Sequence, residues 1–168
     1  MLVYHPAFDI YNCVFRLLQL LHYMNRDEVE VDRIRIWDFY LTFPNETRNI
    51  RFPNELNDLK IIFKRKASNP YEDLIDPKRI FERMKSYQLS ALKCLASYGL
   101  IETKLLSKNV VRRTAKEIPD VLIKKLDDLT IEKSNVIKLI VGFWELPLYG
   151  KFGLKDRTGL IEFKYDQK

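Results

Sequence analysis

Glycine is scarce in this chain, with five residues among 168. So few leave little room for the tight turns of an all-β architecture, and the composition reads as mainly α. Cysteine is scarcer still: Cys13 and Cys94 each sit inside a helical pattern, with no CxxC pair. That excludes a disulfide framework and fits the reduced thiols of a cytoplasmic protein, the location expected here. His5 and His22 are the only histidines; His5 and Asp9 are four apart, but Pro6 intervenes, and no metal site is expected. No stretch reaches 18 uninterrupted apolar residues, so no helix is expected to span a membrane. The opening MLVYHPAFD lacks the basic-then-apolar order of a signal peptide. There is no Gly-rich phosphate loop with its Lys-Ser/Thr pair and no G-x-S-x-G elbow, and no nucleophile–base pair can be named. The expectation is a protein that is not an enzyme and carries no cofactor.

What is present is a sizeable apolar fraction, 46% hydrophobic with 12% aromatic, enough for a real core. The length suits one domain over residues 1–168, with a helical body over about 1–130 and a C-terminal helix and Gly-containing tail over about 131–168. Net charge is +6, unevenly spread: residues 77–116 hold ten Lys/Arg and two Glu, +8, which leaves −2 for the rest. A basic half expects an anionic partner, either nucleic acid or an acidic protein surface; a solvated helix face is the plainer reading.

The organising stretch is PKRIFERMKSYQLSALKCLASYGLIETKLLSKNVVRRT, from Pro77 to Thr114. Ile80, Met84, Tyr87, Ala91, Leu95 and Tyr98 form one face of an amphipathic helix. Asp76 caps its start and Gly99 its end. Period-two spacing then predicts a strand over Leu100–Leu105, a polar turn, and a second strand from Val110. Helix, Gly-Leu-Ile, hairpin is how a winged helix ends. The fold expected is mainly α (α+β), winged-helix-like, with a β-hairpin wing and a short C-terminal strand over Leu160–Tyr165.

Before this stretch, a first helix is expected from about Phe8 to Met24. It is apolar nearly all round except for a seam of Asp9, Asn12, Arg16 and Gln19. If that seam is buried, Arg16 needs a carboxylate such as Asp9 or a partner's acid; an exposed seam is the plainer expectation. Asp32 caps a second helix, RIRIWDFYLTF, which Pro44 ends. Pro44–Pro53 is irregular, Asn54 starts a short helix to about Lys66, and Ser68–Pro77 is a connector. This insertion between Pro44 and Pro77 offers an extra docking surface. After the hairpin, short helices follow from Asp120 and, capped by Thr130, from Ile131 to Leu146.

Two sets of candidate contacts emerge. Arg79, Arg83, Lys85 and Lys93 on the long helix, with Lys108, Arg112 and Arg113 on the wing, suit the DNA backbone, although Glu82 and the shortage of base-reading Asn or Gln weigh against sequence-specific readout. Aromatics crowd Trp37, Phe39, Tyr40 and Phe43 and, in the tail, Tyr149, Phe152, Phe163 and Tyr165. They serve either as core or as interface anchors, and the tail, with Gly150, Gly153 and Gly159, is expected to bury little on its own.

Four ordered stretches, YHPAFDIYNCVFRLLQLL, IRIWDFYLTFP, SALKCLASYGLI and LYGKFGLKDRTGLIEFKYD, resemble the middle component of ABC-three-component systems. These are prokaryotic conflict systems that include Lamassu-type antiphage defence, and the resemblance points to the type-five group. It implies a non-enzymatic adaptor in a hetero-oligomer, bridging an SMC/Rad50-like ATPase and an effector, often a nuclease. Residues carried over are Tyr4, His5, Pro6, Phe8, Asp9 and Arg16 at the start. At the end they are Tyr149, Gly150, Gly153, Leu154, Lys155, Arg157, Thr158 and Tyr165. Asn12 stands where the family opening carries a His. The alternative is a stand-alone winged-helix DNA-binding regulator.

Overall fold

A computed structural model describes residues 4–24, 28–64, 71 and 73–162. It is mainly helical. After a 3-10 turn at Pro6–Phe8 come α1 (Ile10–Tyr23), β1 (Val29–Glu30), α2 (Val31–Thr42), 3-10 turns at Pro44–Asn49 and Asn54–Leu56, α3 (Asn57–Lys64) and α4 (Pro77–Ser97). Then follow α5 (Thr103–Leu106), β2 (Val110–Val111), α6 (Asp120–Asp127), α7 (Ile131–Gly142) and α8 (Leu154–Thr158).

Local signals set the helix ends. The Asp9 carboxylate accepts from the Asn12 N–H at 2.8 Å, so α1 starts after Asp9 and Phe8 stays in the preceding turn. Asp76 accepts from the Arg79 N–H at 3.1 Å and Thr130 from the Lys133 N–H at 3.2 Å. Gly99 closes α4 in the left-handed region, φ +73°, where a Cβ would be strained. Asp32 does not cap α2: Glu30 holds that position, and Asp32 lies in the first turn, where its charge still suits the helix dipole.

The most extensive helix pair is α1 against α4. The face that α4 buries is turned slightly from the expected one: Phe81, Met84, Gln88, Ala91, Leu92 and Leu95 are inside, while Tyr98 is 65% exposed. The central helix is α2, buried without a break from Arg33 to Leu41. Trp37, Phe39 and Tyr40 are therefore core residues, packed edge-on against Phe143 or each other, and their crowding needs no partner surface.

The expected hairpin takes a different form. Thr103–Leu106 winds into a helical turn, and β2 pairs antiparallel with β1 in the register Val29↔Val111. Ile101 still bridges Arg113, and the Glu102 N–H donates to the Arg112 carbonyl at 2.9 Å. Local alternation in Leu100–Leu105 loses to the non-local partner: β1, lying before α2, offers Val29, which buries against the core as a second strand of the loop would not.

The tail also folds differently from expectation. Leu148, Leu154 and Leu160 are buried, so it shares the main core. Leu160–Glu162 is not strand, and Phe163 and Tyr165 lie outside the described residues.

Candidate functional site

Burying α2 puts charged side chains where water cannot solvate them, and the chain answers each with a partner of its own. Arg16 of α1 meets Asp38, Nε to Oδ1 at 2.6 Å and Nη2 to Oδ2 at 3.3 Å, while its Nη1 donates to the Pro6 carbonyl at 2.9 Å. The polar seam of α1 is thus buried, and the acid facing Arg16 comes from α2 rather than from Asp9 or another subunit. Gln88 of α4 donates to Asp38 Oδ2 at 2.8 Å and accepts from Arg35 Nε at 3.1 Å. Arg35 Nη1 continues to Asp32 Oδ1 at 3.1 Å, and Asp32 Oδ2 takes the Lys155 ammonium of α8 at 3.1 Å. Lys155 also sits 4.7 Å from the centre of the Tyr149 ring.

One polar chain therefore runs Pro6–Arg16–Asp38–Gln88–Arg35–Asp32–Lys155–Tyr149. It crosses the core from the opening segment to the tail, and each end carries residues of the sets named for the family resemblance. Cys13 lies on this chain, 4.0 Å from Asp38, and burial and the Asp38 charge push its thiol pKa far up. A thiol held protonated in this way is no nucleophile.

The tail is fastened by more than Lys155. The Arg51 N–H donates to the Arg157 carbonyl and Arg157 Nη1 returns a bond to the Arg51 carbonyl, both at 2.9 Å. Arg51 Nη2 pairs with Asp156 at 2.5 Å, and Asp156 accepts from the Phe152 N–H at 2.9 Å, which with Arg51 holds its carboxyl below the usual range. Gly153 serves close approach within the chain: a Cβ there would lie 2.3 Å from the Tyr149 carbonyl oxygen.

The named contact residues thus divide. Leu154 and Lys155 are buried in their own fold, Gly153 is wedged against Tyr149, and Arg157 and Thr158 are half-buried. Tyr149, Gly150 and Phe152 are exposed. At the start, Tyr4 is 66% exposed and accepts from Asn12 Nδ2, Asp9 is engaged as a cap, and His5 stacks on Phe43 with ring centroids 5.3 Å apart. Tyr165 lies outside the described residues. Of the basic set, Arg79, Lys85, Lys93 and Lys108 are exposed. Arg83 stacks over Phe8 at 4.3 Å, Arg112 pairs with Glu28, and Arg113 donates to the Lys116 carbonyl at 3.2 Å.

Beneath the opening segment lies a pocket of about 320 Å³ lined by His5, Asn12, Phe15, Arg16, Leu41 and Lys133 among others. Burial first, then the Arg16 charge, lower the Lys133 pKa, with Asp38 opposing. The same two causes, in the same order, lower His5, whose Nδ1 accepts from the Ala7 N–H at 3.1 Å, so a neutral ring carries its proton on Nε2. Lys133 is absent from the sequence reasoning; its one signal is a lysine in the first turn of a helix, against the dipole. Among the described residues, no group of three His, Cys, Asp or Glu could hold a metal ion, and no helix is long and apolar enough to cross a membrane.

Fold and site together define a small helical protein whose buried charges cross-link its own helices, with exposed aromatics, Tyr4 and Tyr149, at either end of that network. The chain belongs to the family of the ABC-three component (ABC-3C) system Middle Component 5, whose model matches residues 2–166. It is thus one component of a multi-subunit system. Comparison with curated proteins and with solved structures returns no match.

Proposed function

We propose that this chain is a non-enzymatic bridging subunit that joins an SMC/Rad50-like ATPase to an effector such as a nuclease, in a Lamassu-type antiphage or anti-plasmid complex. The observation that carries this reading is the family match over residues 2–166, as a middle component. The structure supports it in one respect: the two clusters of resemblance residues are tied by a single buried polar chain, so a load at one end meets a cross-linked body rather than a loose tail. Contact falls to the exposed members, Tyr149 and Gly150 at one end and Tyr4 and His5 at the other, with the exposed tail aromatic Phe152 beside Tyr149 and Gly150 in the chain. The wing-like arrangement of β1, β2 and the Ile101–Arg113 bridge beside α4 supports winged-helix character.

Co-expression with the ATPase and effector genes that flank this one tests the bridge. Wild-type chain co-purifies with both, and Tyr149→Ala with Phe152→Ala loses one of them while keeping its thermal stability. Recovery of an ATPase–effector complex of full strength without this chain would remove the bridging role.

A second reading, contact with the DNA backbone, is favoured by Arg79, Lys85, Lys93 and Lys108, which are exposed and have no acidic partner among the described residues. Purified chain then shifts labelled duplex at low salt. Lys93→Ala with Lys108→Ala lowers the salt slope by about 0.9 per lost phosphate contact. Arg112 is the poorer probe, since Glu28 already holds it.

A further inference from the structure

The pocket under the opening segment has a positive charge that forms no ion pair among the described residues. Arg16 is neutralised by Asp38, and its Nε, Nη1 and Nη2 are all engaged with Asp38 or the Pro6 carbonyl. Lys133, half-buried in the same wall, has no acidic partner among the described residues. Partial burial, the neighbouring Arg16 and the positive end of the 12-residue α7 all oppose a cation there, and only the field of Asp38, already paired with Arg16, favours one. An incoming anion relieves all three at once.

Asp38 cancels Arg16 in the pocket wall, which leaves the Lys133 ammonium, and a single carboxylate matches it. A phosphate dianion overshoots it, with Asp38 and the capping Asp9 close by. Phe15 and Leu41 give the pocket apolar walls, and Tyr4, 66% exposed, is held beside it by the Asn12 side chain.

We propose that this pocket receives an acidic side chain of a partner protein, whose carboxylate pairs with Lys133 and accepts from the His5 Nε2–H while its stem packs on Phe15 and Leu41. The inference rests on the bridging reading and adds to it the place and chemistry of one contact.

The test uses full-length chain with the co-expressed ATPase and effector subunits. Lys133→Met weakens binding to one subunit at least about 10-fold, Lys133→Arg keeps most of the affinity, and Lys133→Glu abolishes it. In the isolated chain Lys133→Met raises Tm, by about 2–4 °C, because it removes an unanswered cation; a gain in stability with a loss in binding is not what a structural lysine gives. Acylation of the Lys133 amine by acetic anhydride, read by mass spectrometry, slows in the complex. Unchanged affinity in Lys133→Met, with Lys133 labelled as fast in the complex as alone, overturns the proposal and leaves the bridge standing. Protection by inorganic phosphate, with none from either subunit, overturns it in favour of a phosphate site. Wild-type chain that binds neither subunit removes the bridging reading and this one with it.

Discussion

The arginines of α1 and α2 and the basic residues of α4 and its following loop are alike in sequence and opposite in use. Arg16, Arg33 and Arg35 are each at most 4% exposed and each meets an acid from its own chain: Asp38, Glu30 and Asp32. Arg79, Lys85, Lys93 and Lys108 face solvent and meet none among the described residues. The regional charge, +8 over residues 77–116, therefore describes a surface, whereas the −2 of the remainder conceals a set of internal cross-links. A cation informs about partners only after the acids of its own fold have been assigned.

Removing an internal acid breaks this contrast hardest. Asp38→Ala leaves Arg16 and Gln88 buried without their shared acceptor and costs about 3–5 kcal/mol, measurable by urea denaturation. A loss near that of an exposed pair, under about 1 kcal/mol, would mean the network is solvated after all.

Next comes the wedge that seats the tail. Gly153→Ala drives a Cβ against the Tyr149 and Pro147 carbonyls, 2.3 and 3.0 Å away, and destabilises by about 1–3 kcal/mol. Gly150→Ala meets open space and is strained only by φ +80°, for about 1 kcal/mol. Thermal melts of the two variants rank them; equal losses would show that the close approach is not what Gly153 provides.

Acid separates the regions more gently. Asp9, Asp127 and Asp156 are held below the ordinary 3.8, chiefly by the Asn12 N–H, the His22 side chain and the Phe152 N–H respectively. Carboxyls with depressed native pKa values add stability that is complete above the unfolded-state value, and the loss follows as pH falls from there through the native values. These three carboxyls therefore add no slope between pH 7 and about 5, where the lowered His5 alone makes stability decline as pH falls through 6.5, and their own loss follows below about 4. Asp156→Asn should flatten that fall, as read from melting temperature against pH.

The smallest effect belongs to the exposed set. Arg79→Ala and Lys93→Ala change folding stability by no more than about 0.5 kcal/mol, so any loss of DNA or partner binding in these variants reports on contact alone.

How much of this was legible depended on distance along the chain. The start of α4 at Asp76 and its end at Gly99 were readable, as was the Thr130 cap of α7, because a cap and its N–H lie three residues apart. The burial of Trp37, Phe39 and Tyr40 was harder: α2 has no polar face to contrast with an apolar one, since its charged positions are buried as well. The strand in Leu100–Leu105 failed because alternation there is indifferent to which strand β2 takes as partner. The Arg16 seam pointed to a missing acid, but Asp38 sits 22 residues away and no local pattern nominates it. Lys133 was passed over for a related reason: an unanswered charge is visible only once every other charge has been matched.

The sequence by itself determined that the chain is mainly helical, where several helices begin and end, and, through its ordered motifs, the family. Those are consequences of hydrogen bonds and periodicities that act within a few residues. The tertiary structure alone decided which charges face each other, which strand closes on β1, and that Leu154 and Lys155 are folded inward while Tyr149 remains outside. Desolvation is the reason: whether a charged side chain must find an acid depends on how much water the assembled helices leave it, and that quantity does not exist until they pack.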